Sequence, residues 1–404
     1  MWIPKSEKEI QKAVDSDALE ETSIFDAKMT LPSKNSEIAK DIAAMSNDGG
    51  VIIYGIGEDE NGRLKILSPV VLEGQPERIS SVAQTSIAEP PRFHIQTIPT
   101  KDDTAKGFIV VIIPPSERAP HMVIVNGDHR YYGRNAKGNV LLSEAEVSRL
   151  YERRNRLEVD LKELIEKEIK IAPYPPNSRF GYLHMFIRPA FEQSSILDRI
   201  HTVTKPTRAV FAEVVEDIAR NDPLRNQYTP RFNEYINNWE FTVNGIRGKI
   251  SYEEENTDTS VGDALVIDVD LNGMGHLFCG RAAEQEKEFF LFFPVAVIAN
   301  SINFMLFMGA LFQKINYIGM VDIGLAVTGI KGAFYYTEDR ILYHVRKPYE
   351  SDIYKEVGRI DAPSLLDREL AKTKAEVLLT HLFRAFTQGY DNPFNRITVT
   401  GKNN

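Results

Sequence analysis

Glu21-Thr-Ser-Ile-Phe-Asp26-Ala-Lys28, followed after a helix-like stretch by Ser46-Asn47-Asp48-Gly49-Gly50-Val51-Ile52-Ile53-Tyr54-Gly55-Ile56-Gly57-Glu58-Asp59, decides how the first part of this chain folds. A strand over Ser23 to Met29 puts Asp26 and Lys28 on one face and Phe25 and Ala27 on the other, because successive side chains alternate. The apolar run Val51 to Ile56 predicts a neighbouring buried strand, entered through a Gly-Gly turn and ending in acids. Together the two strands bring carboxylates and one ammonium to a single strand edge. Such a group of charges is costly in an apolar core, so it points to a metal or phosphate site.

Outward from this stretch, helical spacing predicts helices over Lys5–Val14, Ser36–Met45 and Glu77–Ile87, the second ended by the Asn-Asp-Gly-Gly turn. Strands are expected near 23–29, 51–56, 93–98, 108–113 and 130–133. The pattern is that of an α+β domain with a mixed sheet. A charged helix from about Glu144 to Lys170 closes it, stopped by Pro173-Tyr-Pro-Pro176. Domain bounds of 1–155 and 177–404 follow, with the helix end and linker over 156–176.

The second part predicts strands over Phe180–Arg188, 239–243, 247–253, 264–271, 289–293, 318–328, 333–336 and 340–345. Helices are expected at 208–219, 294–314 and 364–386. A second α+β domain is the result, with no repeat or heptad. The stretch Phe289 to Phe312 is apolar enough for a membrane check, but Pro294, Asn300, Ser301 and Asn303 interrupt it. A short strand and a buried helix opened by proline are expected instead.

Taken together, Glu-x4-Asp-x-Lys and Asn-Asp-Gly-Gly-Val-Ile-Ile-Tyr-Gly-Ile resemble the AlbA_2 domain of Schlafen proteins. Downstream come Pro90-Pro91, Phe108-Ile-Val-Val-Ile-Ile113, Pro114-Pro115-Ser116-Glu-Arg-Ala-Pro120-His121 and His129-Arg130-Tyr131-Tyr132-Gly133-Arg134, in the family's order. The resemblance spans roughly residues 1–155; the second part resembles no family. It implies a metal-dependent endoribonuclease cutting structured RNA such as tRNA, in phage defence or as a toxin, with Mg²⁺ or Mn²⁺ held by three acids. Glu21 and Asp26 carry over directly. The third acid falls three residues after Gly55, at Glu58, with Asp59 as its neighbour. Two departures from the family pattern stand here: Asp26 where Glu is commoner, and Glu58 in place of Asp.

The chemistry agrees with that implication. Glu21, Asp26 and Glu58 offer the hard oxygen ligands that Mg²⁺ or Mn²⁺ takes. Lys28 is suited to the extra negative charge of a phosphoryl transition state. An acid on an open strand edge adds little packing, so Asp26→Ala is expected to leave the fold intact. Arg130, Tyr132 and Arg134 share a face by period two and read as a nucleic-acid contact strand, extended by Arg92 and, more weakly, His94. The other reading is a non-catalytic nucleic-acid-binding or regulatory module. His121 reads as a turn residue.

The formal net charge is −9, with 17 basic against 22 acidic residues in positions 1–150, so nucleic acid must be met by a local groove rather than by bulk charge. One cysteine, Cys279, excludes an internal disulfide and a four-cysteine zinc site, and indicates a reducing, cytoplasmic setting. The charged stretch from Met1 to Glu20 does not fit a signal peptide. Zinc-enzyme, P-loop and Gly-x-Ser-x-Gly spacings do not occur. The apolar helix at 294–314 and the closing helix at 364–386 raise the expectation of a homodimer.

Overall fold

A computed structural model describes residues 2–125, 128–135, 138–170, 179–190, 200, 206–232, 239–250, 260–336, 347–386 and 394. The chain divides into two compact units, Met1–Glu158 and Val159–Asn404. Both mix helices with sheets, so the fold class is α+β.

In the first unit, α1 (Glu7–Asp15) precedes β1 (Phe25–Lys28), α2 (Asn35–Met45) and β2 (Gly50–Tyr54). The hairpin β3 (Ile56–Glu58) and β4 (Leu64–Leu67), short β5 (Val70–Val71), α3 (Gln75–Ser86) and β6 (Ile87–Ala88) follow. Then come β7 (His94–Pro99), β8 (Lys106–Ile113), β9 (Met122–Val125), β10 (Asp128–Asn135), β11 (Gly138–Leu141) and α4 (Glu144–Lys170). The main sheet runs β1-β2-β8-β5, with β7 also on β8. It is mixed: β1 pairs parallel to β2, and β2 antiparallel to β8. A second sheet runs β11-β10-β9-β6.

Parallel pairing places Asp26 opposite Ile52 and Lys28 opposite Tyr54. Ile52 and Tyr54 belong to the core formed with Ile38 and Ile42 of α2 and with Ile79 and Val82 of α3. Asp26 and Lys28 therefore share one face, and that face is the helix-covered one. The expected single strand over Val51–Ile56 ends at Tyr54: Gly55 has φ +109°, open to glycine alone, and the chain leaves the main sheet for the β3–β4 hairpin. The helix α4 opens on a capping box, in which Glu146 Oε2 accepts from the Ser143 backbone N–H at 2.8 Å and Ser143 Oγ accepts from the Glu146 N–H at 3.3 Å. The terminating Pro173–Pro176 segment lies outside the described residues.

The second unit holds β12 (Phe180–Pro189), α5 (Thr207–Arg220), β13 (Trp239–Phe241), β14 (Gly245–Ile250), β15 (Leu265–Asp270) and β16 (Gly275–Glu286). It continues with β17 (Phe289–Phe292), α6 (Pro294–Lys314), β18 (Met320–Thr328), β19 (Phe334–Tyr335), β20 (Ile353–Asp361) and α7 (Arg368–Phe386). The sheet order is β13-β14-β15-β16-β12-β18-β20. Strand alternation sends Leu183, Met185 and Ile187 into a core shared with α5, α6 and α7. α6 is long and apolar enough to cross a membrane, yet 89% of its apolar window is buried inside the unit. Its asparagine amides donate there, Asn303 to Asp222 at 3.0 Å and Asn300 to the Pro230 carbonyl at 3.0 Å, while the buried Asn300 Oδ1 has no hydrogen-bond partner among the described residues.

Two sequence readings of this unit need adjustment, and a third is untested. The strands β16 and β20 were not anticipated. The helix expected from Ser364 starts at Arg368, after a 3-10 turn over Ala362–Leu366. The strand expected at 340–345 lies outside the described residues. On the sheet face away from α6, Phe186 packs with Leu161 and Ile165 of α4, and His276 is held between Glu168 at 2.5 Å and Asp270 at 3.2 Å.

Candidate active site

Asp26 is the hub. It is 3% exposed, and both oxygens meet cations: the Arg134 guanidinium approaches Oδ1 at 2.7 Å and the Lys28 ammonium approaches Oδ2 at 3.4 Å. Lys28 also lies 3.4 Å from Oδ2 of Asp41, a buried acid of α2 whose Oδ1 accepts from the Asn139 amide of β11 at 2.7 Å. Burial alone would lower the Lys28 pKa, but the carboxylates of Asp41 and Asp26 hold it above the ordinary lysine value. Asp41 is displaced upward by burial, against the pull of Lys28.

Glu21 is differently placed. Its Oε1 accepts from the Ala27 backbone N–H at 3.4 Å, and it has no cationic partner among the described residues. Burial raises its pKa, and the charges of Asp26 and, more weakly, Glu58 raise it further. Glu21 is thus within electrostatic reach of both Asp26 and Glu58. Glu58 is exposed at the end of β3. Asp59 is committed elsewhere: it accepts from the backbone N–H groups of Asn61 and Arg63, each at 2.9 Å, and from the Arg63 guanidinium at 3.1 Å. The backbone bonds at Arg63 depress its pKa first. Asp59 closes the β3–β4 turn, whereas Glu58 at the strand end takes no part in those bonds.

The contact strand departs further from expectation. Arg134 is not an outward phosphate fork; its side chain is 5% exposed and locked on Asp26. Tyr132 is partly buried against the core that includes α2, with the Lys40 ammonium 5.5 Å from its ring centre. Tyr131, on the opposite face, pairs its hydroxyl with that of Tyr151 at 2.8 Å, and this bond first, then burial, pushes its pKa to about 12. Arg130 and Arg92 are exposed, as is His94. His121 is a turn residue as expected: its Nδ1–H donates to the Glu89 carbonyl at 2.5 Å, and the Ser116 hydroxyl donates to Nε2 at 2.7 Å.

Residues 21–143 match the family described as Schlafen, AlbA_2. The N-terminal unit is a Schlafen AlbA_2 domain. Among solved structures, the N-terminal domain of an ATP-dependent DNA helicase RecG-related protein from Nitrosomonas europaea, solved by NMR, is similar at 18% identity. It covers 31% of this chain and 86% of its own, with a TM-score of 0.23. No curated protein matches the sequence.

Two site features of the AlbA_2 domain escaped the sequence reading. Asp41 sits among Ile38, Ile42 and Ala44, where helical spacing presents it as one more solvated helix acid. Asn139 sits in a short strand that propensity did not reveal. Their only signal is tertiary: a carboxylate buried to 2% exposure, facing a lysine of another element. Glu21, Asp26 and Glu58 are oxygen donors of the type that Mg²⁺ or Mn²⁺ takes. Among the described residues, however, no group of three or more His, Cys, Asp or Glu is arranged so that it could hold a metal ion.

Proposed function

We propose that this chain is a divalent-metal-dependent endoribonuclease cutting structured RNA such as tRNA, with Glu21, Asp26 and Glu58 at its centre. The supporting observation is uncompensated charge. Among the described residues, the ion pairs given for the carboxylates of Glu21, Asp26, Asp41 and Glu58 are those of Lys28 and Arg134, and they go to Asp26 and Asp41. Two negative charges remain, on Glu21 and Glu58, which is the charge one divalent cation neutralises. Mg²⁺ is commonly held by one or two carboxylates, with water and substrate phosphate completing its shell, so a third fixed protein ligand is not required. Bound there, the ion supplies charge neutralisation at the phosphodiester and a more acidic water. Lys28, whose side chain is 31% exposed, is available to the phosphate from its open side.

A second reading, nucleic-acid binding without cleavage, is favoured by one observation: Asp26 is already neutralised by two cations. The test is incubation of total tRNA with the protein and Mn²⁺ or Mg²⁺. Fragments that disappear with EDTA, with Glu21→Gln and with Glu58→Gln support the nuclease. Retention of RNA without fragments under every condition supports the binder. The same proposal puts the enzyme in the cytoplasm, in phage defence or as a toxin, and as a homodimer formed through the second unit. Light scattering that gives only the 45.8 kDa chain mass would exclude the dimer.

A further inference from the structure

We propose that Asp41 is a positioning residue that fixes the Lys28 ammonium beside Asp26, so that Lys28 presents a set charge to an incoming phosphate; this rests on the nuclease reading above. The ammonium is bracketed symmetrically, 3.4 Å from Asp26 Oδ2 and 3.4 Å from Asp41 Oδ2. Asp26 and Lys28 lie two residues apart on β1, which alone would leave a flexible four-carbon side chain free to swing away. Asp41 comes from α2 and prevents this. It is held in turn by Asn139 at 2.7 Å, a contact 98 residues away in sequence. Carboxylates of β1 and α2 therefore meet on one ammonium that keeps an open side, and β11 braces the α2 carboxylate.

The burial of Asp41 argues in the same direction. A carboxylate 2% exposed among Ile38, Ala39, Ile42 and Ala43 carries a desolvation cost that an apolar side chain of similar size would avoid. Burying such a pair is weak as a stability device, whereas fixing the direction and charge of a partly exposed lysine needs it. Arg134 performs the complementary task on Asp26: it occupies Oδ1, so Oδ2 stays turned toward Lys28.

The experiment uses the full-length protein with Asp41→Asn, which keeps the shape and removes the charge. Asn139→Ala is the second variant, and it frees Asp41 without removing it. Lys28 is read by its amine acylation rate at one fixed pH, peptide by peptide in a mass spectrometer; tRNA cleavage with Mn²⁺ gives kcat and KM. In Asp41→Asn, Lys28 should be acylated about threefold faster or more, because one of the two carboxylates that hold its side chain in place is gone. Its kcat should fall at least tenfold with KM within about twofold, and Asn139→Ala should lie between it and the unaltered protein. Unchanged Lys28 acylation in both variants, with only a lower melting temperature, would overturn the proposal. If the unaltered protein cleaves no RNA, the nuclease reading fails by itself. The acylation arm then still decides whether Asp41 sets Lys28.

Discussion

At the residue scale, Asp26 is where expectation and structure diverge most usefully. It was expected on an open strand edge, where truncation is harmless; it is instead the shared anion of Arg134 and Lys28. Asp26→Ala leaves a guanidinium with a 5% exposed side chain without its carboxylate, and should cost on the order of 3 kcal/mol in urea unfolding. Loss of cleavage in that variant must therefore be read beside its melt. Glu21→Gln is the cleaner probe. The raised Glu21 pKa means its charged form opposes folding: that stability is present below the ordinary value of 4.5 and lost as pH rises through the folded value. If the proposed site takes a divalent cation, the ion reverses the effect. Millimolar Mn²⁺ at pH 7 should raise the melting temperature of the protein, more weakly as pH falls through the raised Glu21 value, and not at all in Glu21→Gln.

At the element scale, the site depends on two strands placed side by side with no room between them and their surroundings. A Cβ on Gly50 would sit 2.1 Å from Met45 Sδ and 2.6 Å from the Ile24 carbonyl oxygen, so β2 passes against the end of α2 and the start of β1. Gly50→Ala should cost about 1–3 kcal/mol by overpacking, checked by urea unfolding. The turn at Gly55 acts differently. By ending β2 and starting a separate hairpin, it carries Glu58 toward Glu21, and Asp59 then caps that hairpin through its backbone bonds. The strand β10 contributes inward through Arg134 and Tyr132 rather than outward, so Arg134→Ala should resemble Asp26→Ala in lost stability more than in lost salt dependence of RNA binding.

At the scale of the whole molecule, two histidines of the second unit set opposite pH limits. His276, between Glu168 and Asp270, is lowered by burial yet raised further by those acids, to about 9. Its contribution is fully present below 6.5 and lost as pH rises through about 9, on the order of 3 kcal/mol. His184 is buried and pushed down to about 4, so its contribution is present above 6.5 and lost as pH falls toward 4. Thermal melts of this unit should peak near pH 6.5, and His276→Gln should flatten the alkaline side alone. By itself the sequence determined what repeats along the chain or lies close in it: the α+β class, the strand face shared by Asp26 and Lys28, the proline-opened helix at 294–314 and the AlbA_2 motif order. These follow from side-chain alternation, helical spacing and local hydrogen bonds, which act over a few residues. Only the tertiary structure decided that the Asp26 face lies under α2, that Arg134 turns inward, and that Asp41 and Asn139 belong to the site. Those outcomes depend on which buried charges find partners from elements up to about a hundred residues apart, and no local pattern records such a pairing.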